Sequence, residues 1–128
     1  MKARQIIEVE SPKTFLRYLH GPTGTGRIKS ICLEGRRWFQ RLYGNTYYTA
    51  NIFVNDRLVH TMPFAYGYGS QYEWDSWIWL IEKGWVKPMR YGDRPNNPEP
   101  AWQYCQRNGI EYHATVIDVR RKRDLHRL

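Results

Sequence analysis

The sequence lacks most of the features that assign a small protein to a familiar class. Cysteine is scarce, with only Cys32 and Cys105, and the absence of a Cys-x-x-Cys spacing excludes a zinc ribbon. No apolar run approaches the roughly 18–20 residues that a membrane helix needs, and the polar residues after Met1-Lys2 predict no signal peptide. The glycine-rich segment 21–26 is followed by Arg27-Ile28 instead of Lys and Ser or Thr, so it does not match a nucleotide-binding P-loop.

Two further absences concern catalysis. No serine lies in a nucleophile motif, and no two of the four histidines are spaced as ligands on one helix face. We interpret the two cysteines as small buried apolar residues of a protein in a reducing cytosol, with a single disulfide between them as the alternative. The sequence therefore offers no catalytic mechanism, and we expect no metal and no other cofactor.

The chain does carry an excess of cations and aromatic rings. Its 128 residues fit one domain, and 20 Lys and Arg against 12 Asp and Glu leave a formal net charge of +8. Six Trp and ten Tyr argue against disorder. Fourteen of the basic residues are Arg, whose planar guanidinium binds phosphate and carboxylate in two-point contacts. This bias suits nucleic acid and suits a protein interface equally well.

The N-terminal part of the chain predicts short elements. Ile6, Ile7 and Val9 favour an edge strand. A helix is predicted to begin at Ser11-Pro12, with Ser11 as N-cap, and to end at His20-Gly21. Segment 21–26 is predicted to be a loop.

The next part of the chain predicts an antiparallel meander. Alternating apolar and polar residues favour four strands, over 27–33, 37–43, 46–54 and 57–64. Tight turns are predicted at Glu34-Gly35, at Gly44-Asn45 with type II′ geometry, and at Asn55-Asp56. In the last hairpin, Phe53 is expected to face Leu58, and Ile52 to face Val59.

A helix over 71–83 should pack on this sheet. Ser70 is its predicted N-cap with Glu73 completing a capping box, and its apolar stripe consists of Trp74, Trp77, Ile78 and Ile81. Tyr72 and Trp79 project away from that stripe. They predict an aromatic binding patch, or alternatively they are buried under the proline-rich loop 85–100, which we slightly prefer.

The C-terminal part completes the predicted fold. A short helix over 100–108 with Asn108-Gly109 as its C-cap precedes a strand over 110–119, which pairs with the N-terminal segment or a sheet edge. The class is α+β, with an antiparallel meander of about four strands, one amphipathic helix on one face, small terminal helices and a C-terminal strand. Residues 1–119 form one globular domain, and 120–128 form a basic tail.

Two basic segments are the candidate binding sites. Between positions 36 and 43, Arg alternates with aromatic residues, and Arg37, Phe39, Arg41 and Tyr43 would share one strand face. Such a face can hold a phosphate backbone and stack bases, although Trp38 and Leu42 in the core with Arg stems over exposed rings would give the same pattern. The tail has a net charge of +4 and is either a phosphate-binding arm or a solvated end. The predicted contacts are Arg36, Arg37, Arg41, Tyr43, Arg120, Arg121, Lys122 and Arg123.

Three short motifs carry a resemblance. The pieces Arg36-Arg37-Trp38-Phe39, Tyr43-Gly44-Asn45-Thr46-Tyr47 and Tyr66-Gly67-Tyr68-Gly69 resemble small uncharacterised proteins encoded by tailed bacteriophages. The resembling block runs from Arg36 to about Leu80, roughly a third of the chain. The resemblance implies a bacterial host cytosol and an accessory or host-directed role. No catalytic residue follows from it.

These observations lead to three functional hypotheses. The first is a non-catalytic phage accessory protein that binds DNA, RNA or a nucleoprotein through Arg and aromatic residues, in the cytoplasm and without a membrane partner. The alternative is an inhibitor of a host protein, for example an antiviral defence protein, which acts by protein–protein binding. A weaker alternative is a metal-dependent enzyme on nucleic acid or nucleotides, for which His60, His113 and carboxylates would have to converge.

Overall fold

The computed structural model describes residues 27–89 and 98–126. The predicted N-terminal strand, the helix from Ser11 and the loop 21–26 lie outside the described residues. The strands are β1 (Ser30–Gln40), β2 (Asn45–Val54), β3 (Arg57–Tyr66) and β4 (Glu111–Val119). The helices are α1 (Gln71–Glu82), α2 (Ala101–Asn108) and a 3₁₀ helix (Lys122–His126).

The four strands form one mixed sheet with the order β3-β2-β1-β4. The α+β class is confirmed, but the antiparallel meander has three strands and not four. β1, β2 and β3 are antiparallel neighbours, whereas β4 runs parallel to β1 at the sheet edge. A parallel neighbour requires a long crossover, and the connection that contains α1 and α2 supplies it. No helix among the described residues has the length and apolar character to cross a bilayer.

The first predicted turn does not exist. Glu34 and Gly35 lie in the middle of β1, which is a continuous strand of 11 residues. A Cβ at Gly35 would lie 2.6 Å from Cδ2 of the Tyr72 side chain. The glycine is therefore explained by the close approach of α1, and not by chain reversal.

The other two turns had different outcomes. The second connection is a loop of residues 41–44, in which Gly44 has φ +68° and its N–H donates to the Gln40 carbonyl at 2.9 Å, so the two-residue type II′ turn is wrong. The third turn is confirmed, with Asn55 and Asp56 both in the left-handed region, at φ 51° and 66°. The Asn55 side chain also accepts hydrogen bonds from the N–H groups of Lys29 and Ser30.

The register of the β2–β3 hairpin is partly as predicted. Phe53 faces Leu58, which confirms that pair. Ile52 faces His60 and not Val59, because the register shifts between Ile52 and Phe53. Such a shift places one extra residue in one strand and makes it bulge.

α1 confirms the predicted stripe only in part, because Trp77 is in the core and Ile81 packs against it, but the buried face is shifted towards other residues. Its buried residues are Tyr72, Ser76, Trp77 and Leu80, while Trp74 is 42% exposed. The hydroxyl of Ser76 donates to the Tyr72 carbonyl at 2.6 Å, so this polar residue is buried with its hydrogen bond satisfied. The capping box is also wrong, because Ser70 makes no side-chain cap bond and Glu73 instead accepts a hydrogen bond from the Tyr112 hydroxyl at 2.5 Å.

α2 confirms the predicted short helix and its C-cap. Gly109 follows it with φ 67°, in the left-handed conformation that terminates helices. Its Arg107 reaches Glu99, a carboxylate with no solvent exposure, through Nε and Nη2 at 3.1 and 2.8 Å. Glu99 also accepts a hydrogen bond from the N–H of Met89. This buried ion pair therefore fastens both ends of the 89–99 connection next to α2.

We expect Gly35→Ala to destabilise the fold. The added methyl overlaps the Tyr72 ring, and overpacking of this kind costs about 1–3 kcal/mol in the free energy of unfolding. Urea denaturation measures the cost. In a Tyr72→Ala background the same substitution should cost clearly less, because the obstructing ring is gone. An equal cost in both backgrounds would contradict the packing argument.

We expect Glu99→Gln to lower the free energy of unfolding at neutral pH by about 1–3 kcal/mol, because it removes the charge of a buried carboxylate that is hydrogen-bonded to the partly exposed Arg107 guanidinium. The Arg107 guanidinium is the main cause that holds the pKa of Glu99 below its ordinary value. The stabilisation from ionised Glu99 is thus complete above the pKa of a glutamate in the unfolded chain, about 4.3. It is lost as the pH falls through the lower pKa of Glu99 in the folded protein.

The check is urea denaturation across the acid range. The Glu99→Gln variant should lose less stability than the wild type as the pH falls. Glu82→Gln, at the exposed end of α1, is the matched control and should change little. Identical acid profiles for wild type and Glu99→Gln would show that the pair does not contribute as described.

Candidate functional site

One end of the sheet is left uncovered by α1. Gly35, Arg37 and Phe39 are alternate residues of β1, so they lie on the sheet face that α1 covers. Gly35 is directly under the Tyr72 ring, and Arg37 and Phe39 follow it towards the end of the strand. α1 begins above the Arg37 row, where the Gly69 carbonyl accepts from Arg37 Nη1 at 3.0 Å. Beyond this row, Phe39 and its β2 partner Thr46 have no helix above them.

This uncovered end forms an open cleft of about 890 Å³. Its walls come from the end of β1, the 41–44 loop, the start of β2, the segment before α1 and the end of β4. The residues that line it are Arg37, Trp38, Phe39, Arg41, Thr46, Tyr68, Gly69, Asp118, Val119 and Arg120. The cleft thus combines three guanidinium groups, one carboxylate and the aromatic rings of Phe39 and Tyr68.

Arg37 is the ordered cation of the cleft. Its Nε and Nη2 donate to the two carboxylate oxygens of Asp118, its β4 neighbour, at 2.9 and 3.2 Å. Only 24% of its side chain is exposed, against 74% for Asp118. With its third contact to Gly69, this guanidinium joins β1, β4 and the start of α1, so its main role is to shape the cleft.

Arg41 and Arg120 differ from Arg37 because they are exposed and unneutralised. Arg41 lies in the 41–44 loop that follows β1, and Arg120 directly follows β4, so the two reach the cleft from two neighbouring strand ends. Within residues 27–89 and 98–126, no hydrogen bond or ion pair engages either guanidinium. Both are available for an external anion.

Exposed rings surround these two arginines. Phe39 is 56% exposed and Tyr68 is 73% exposed, and both line the cleft. Tyr43, at 71%, extends from the same loop as Arg41. A neighbouring depression of about 560 Å³ continues past Tyr68 to Tyr66 and Trp74.

The opposite sheet face holds a second aromatic group at the same end. Trp38 stacks on Tyr47 at a centroid distance of 5.9 Å, and Tyr47 stacks on Phe64 at 4.8 Å. The 3₁₀ helix lies over this face, with Leu125 buried and its carbonyl bound by the Thr49 hydroxyl. Lys122 places its Nζ 5.2 Å from the centre of the Phe64 ring.

The predicted contacts therefore fall into two groups. Arg37, Arg41 and Arg120 line the cleft, and Tyr43 stands beside it. Arg36 lies on the opposite face, where its Nη1 donates to the Asp124 carbonyl at 2.9 Å. Arg121, Lys122 and Arg123 are exposed in or next to the 3₁₀ helix, so residues 120–126 pack along the sheet and do not extend as an arm. The prediction that Arg37, Phe39, Arg41 and Tyr43 share one strand face is correct for Arg37 and Phe39 only, because β1 ends at Gln40.

The predicted aromatic patch of Tyr72 and Trp79 is not a surface. Tyr72 is 5% exposed and packs against Gly35 of β1. Trp79 is half-buried and stacks on His60 at a centroid distance of 4.2 Å. Burial, followed by the Lys83 charge, lowers the pKa of His60.

The two histidines of the enzyme hypothesis do not converge. His60 lies on β3 under Trp79, and His113 lies on β4 with its Nε2 2.9 Å from Glu111. These strands are opposite edges of the sheet, three strand spacings or about 14 Å apart. Of the described residues, no three His, Cys, Asp or Glu side chains cluster as metal ligands. Cys32 and Cys105 are both free, and burial is the main cause that raises the pKa of each thiol, that of Cys105 to about 11.

Sequence reasoning missed Tyr68 and the place of Asp118. Tyr68 stands between Gly67 and Gly69, in a segment predicted to be a connector, and an aromatic residue in a glycine-bearing connector has no strand or helix to bury it. That local signal was sufficient to select it. Asp118 was not predictable as an Arg37 partner, because its contact depends on the parallel pairing of β4 with β1.

Comparisons with protein-family models, curated proteins and solved structures found no match for this chain. The geometry of the cleft is therefore the basis for any statement about function.

Proposed function

We propose that this chain is a small basic, non-catalytic protein that binds nucleic acid at the cleft formed by the ends of β1 and β4. Extending the phage resemblance, it would act as an accessory protein in the cytoplasm of a bacterial host. The observation that carries the proposal is the pair Arg41 and Arg120, both exposed at a cleft that also exposes Phe39 and Tyr68.

The charges of the cleft support an anionic ligand. Asp118 neutralises Arg37, which leaves Arg41 and Arg120 as a net positive pair at the cleft. Phosphates that contact them release condensed counterions, which favours binding at low salt. The whole chain, at +8, adds a long-range attraction to any polyanion.

The rings support a ligand with flat aromatic groups. Bases stack on exposed aromatic side chains, and guanidinium groups beside those rings hold the backbone. Phe39 and Tyr68 offer such rings within the same cleft as Arg41 and Arg120. A polyanion without flat groups, such as polyphosphate, would use the arginines but would leave this stacking surface without a matching group.

One observation favours the host-protein alternative. Leu42 is 78% exposed next to Tyr43 at the tip of the 41–44 loop, and an exposed aliphatic side chain inserts more readily into a protein pocket than against a phosphate. Under this alternative the loop tip is the contact and the cleft is secondary. A Leu42→Ser variant separates the two, because it should leave nucleic-acid affinity unchanged.

We expect the full chain to bind labelled oligonucleotides with an affinity that falls steeply between about 50 and 200 mM salt. Fluorescence anisotropy at several salt concentrations gives the slope of log affinity against log salt. Each of Arg41→Ala and Arg120→Ala should reduce the magnitude of that slope by about 0.7–0.9. Lys29→Ala, an exposed charge just before β1 at the other end of the sheet, is the matched control.

The result that would overturn the proposal is equally specific. It fails if no DNA or RNA binds at low salt, or if Lys29→Ala changes the slope as much as the two arginine variants do. Capture of a host protein that survives nuclease treatment and is lost in Leu42→Ser would instead support the inhibitor alternative.

A further inference from the structure

We infer that the cleft takes single-stranded nucleic acid and discriminates against duplex, with bases directed inward onto Phe39 and Tyr68 and phosphates held by Arg41 and Arg120. This inference rests on the proposed function and names the form of the ligand. It follows from two independent features of the cleft, which are the exposure of its rings and the position of its carboxylate.

The rings require unpaired bases. Within a duplex each base face is covered by the neighbouring base pairs, so a protein contacts only base edges and the backbone. An aromatic side chain stacks on a base only where the base is unstacked from its neighbours. The cleft presents Phe39 at 56% and Tyr68 at 73% exposure, and Tyr43, at 71%, belongs to the 41–44 loop that borders it.

The carboxylate requires that the phosphates lie to one side. Asp118, with 74% of its side chain exposed at the cleft, is paired with Arg37 through both carboxylate oxygens, so this pair offers a phosphate no net positive charge. The remaining anion positions are those near Arg41 and Arg120, which no described carboxylate engages. A base edge, in contrast, offers amino and imino donors that a carboxylate accepts.

The two features together set the orientation of the ligand. A duplex presents phosphates on its outside and bases within, which would bring phosphate toward Asp118 and leave the rings without partners. A single strand turns its bases in one direction and its backbone in the other. The cleft matches the single strand, because rings and an acceptor lie in it beside two separated cations.

The test is a set of anisotropy titrations of the full chain with four probes of the same sequence, each about 15 nucleotides long. The probes are single-stranded DNA, single-stranded RNA and the two corresponding duplexes. We expect the single strands to bind more tightly than their duplexes at equal salt. The two single-stranded arms show whether the strand is DNA or RNA, since both share the chemistry of the cleft.

Ring variants identify the contact. Phe39→Ala and Tyr68→Ala should each weaken single-strand binding about fivefold or more, because stacking contributes about 1–3 kcal/mol per base. Tyr68→Phe keeps the ring and should retain affinity, whereas Phe39→Leu keeps the apolar character without the ring and should not. The salt slope should stay unchanged in all four variants. Trp102→Ala is the control, since Trp102 is 59% exposed on α2, which leads into the opposite end of β4.

The outcomes separate this inference from the proposed function. If duplex binds as tightly as the single strand, or if Phe39→Ala and Tyr68→Ala match Trp102→Ala, the single-strand inference is wrong while salt-dependent binding keeps the proposed function. If no probe binds with a salt dependence, the proposed function itself fails. Thermal unfolding of each variant shows that the exposed substitutions leave the fold intact.

Discussion

The contact of the Tyr72 ring with Gly35 sets the position of α1 on the sheet. The ring occupies the space that a Cβ would fill, so the helix approaches β1 more closely than any other residue type would allow. Because Tyr72 is in the first turn of α1, the helix begins above the Arg37 row, just beyond Gly35, and the row of Phe39 and Thr46 has no helix above it. The Phe39 ring is exposed at the cleft for this reason, next to the Arg37–Asp118 pair. The position of the candidate site therefore follows from the position at which α1 begins to cover the sheet.

The arginines of this chain have different roles although they are chemically the same. Arg107 neutralises a buried carboxylate, and Arg37 joins two strands and a helix start. Arg36 binds a backbone carbonyl on the opposite face. Arg41 and Arg120 make no such contact among the described residues and are exposed at the cleft. The formal charge of +8 therefore overstates the number of cations that a ligand can reach there. A binding site of few cations depends more on its rings, which is why the proposed ligand combines phosphates with bases.

Local features of the fold were predictable because adjacent residues determine them. The Asn55-Asp56 turn, the Gly109 helix end and the extents of β2, β3 and β4 follow from residues that tolerate positive φ or favour strands. Gly35 was wrongly predicted to lie in a turn, because a glycine can serve either chain reversal or close packing, and only its packing partner distinguishes the two. The parallel pairing of β4 with β1 was missed for a related reason, since its partner lies about 80 positions away.

By itself, the sequence determined the α+β class, the basic excess and the two segments in which Arg and aromatic residues gather. It did not determine which of those residues act together. The tertiary structure placed Arg37, Arg41 and Arg120 at the cleft. It placed Arg36 on the opposite face because alternate residues of a strand point to opposite sides, and Lys122 on that face because the 3₁₀ helix packs there. It also buried Tyr72 and exposed Tyr68. Burial depends on which surfaces meet in three dimensions, and residue type alone does not contain that information.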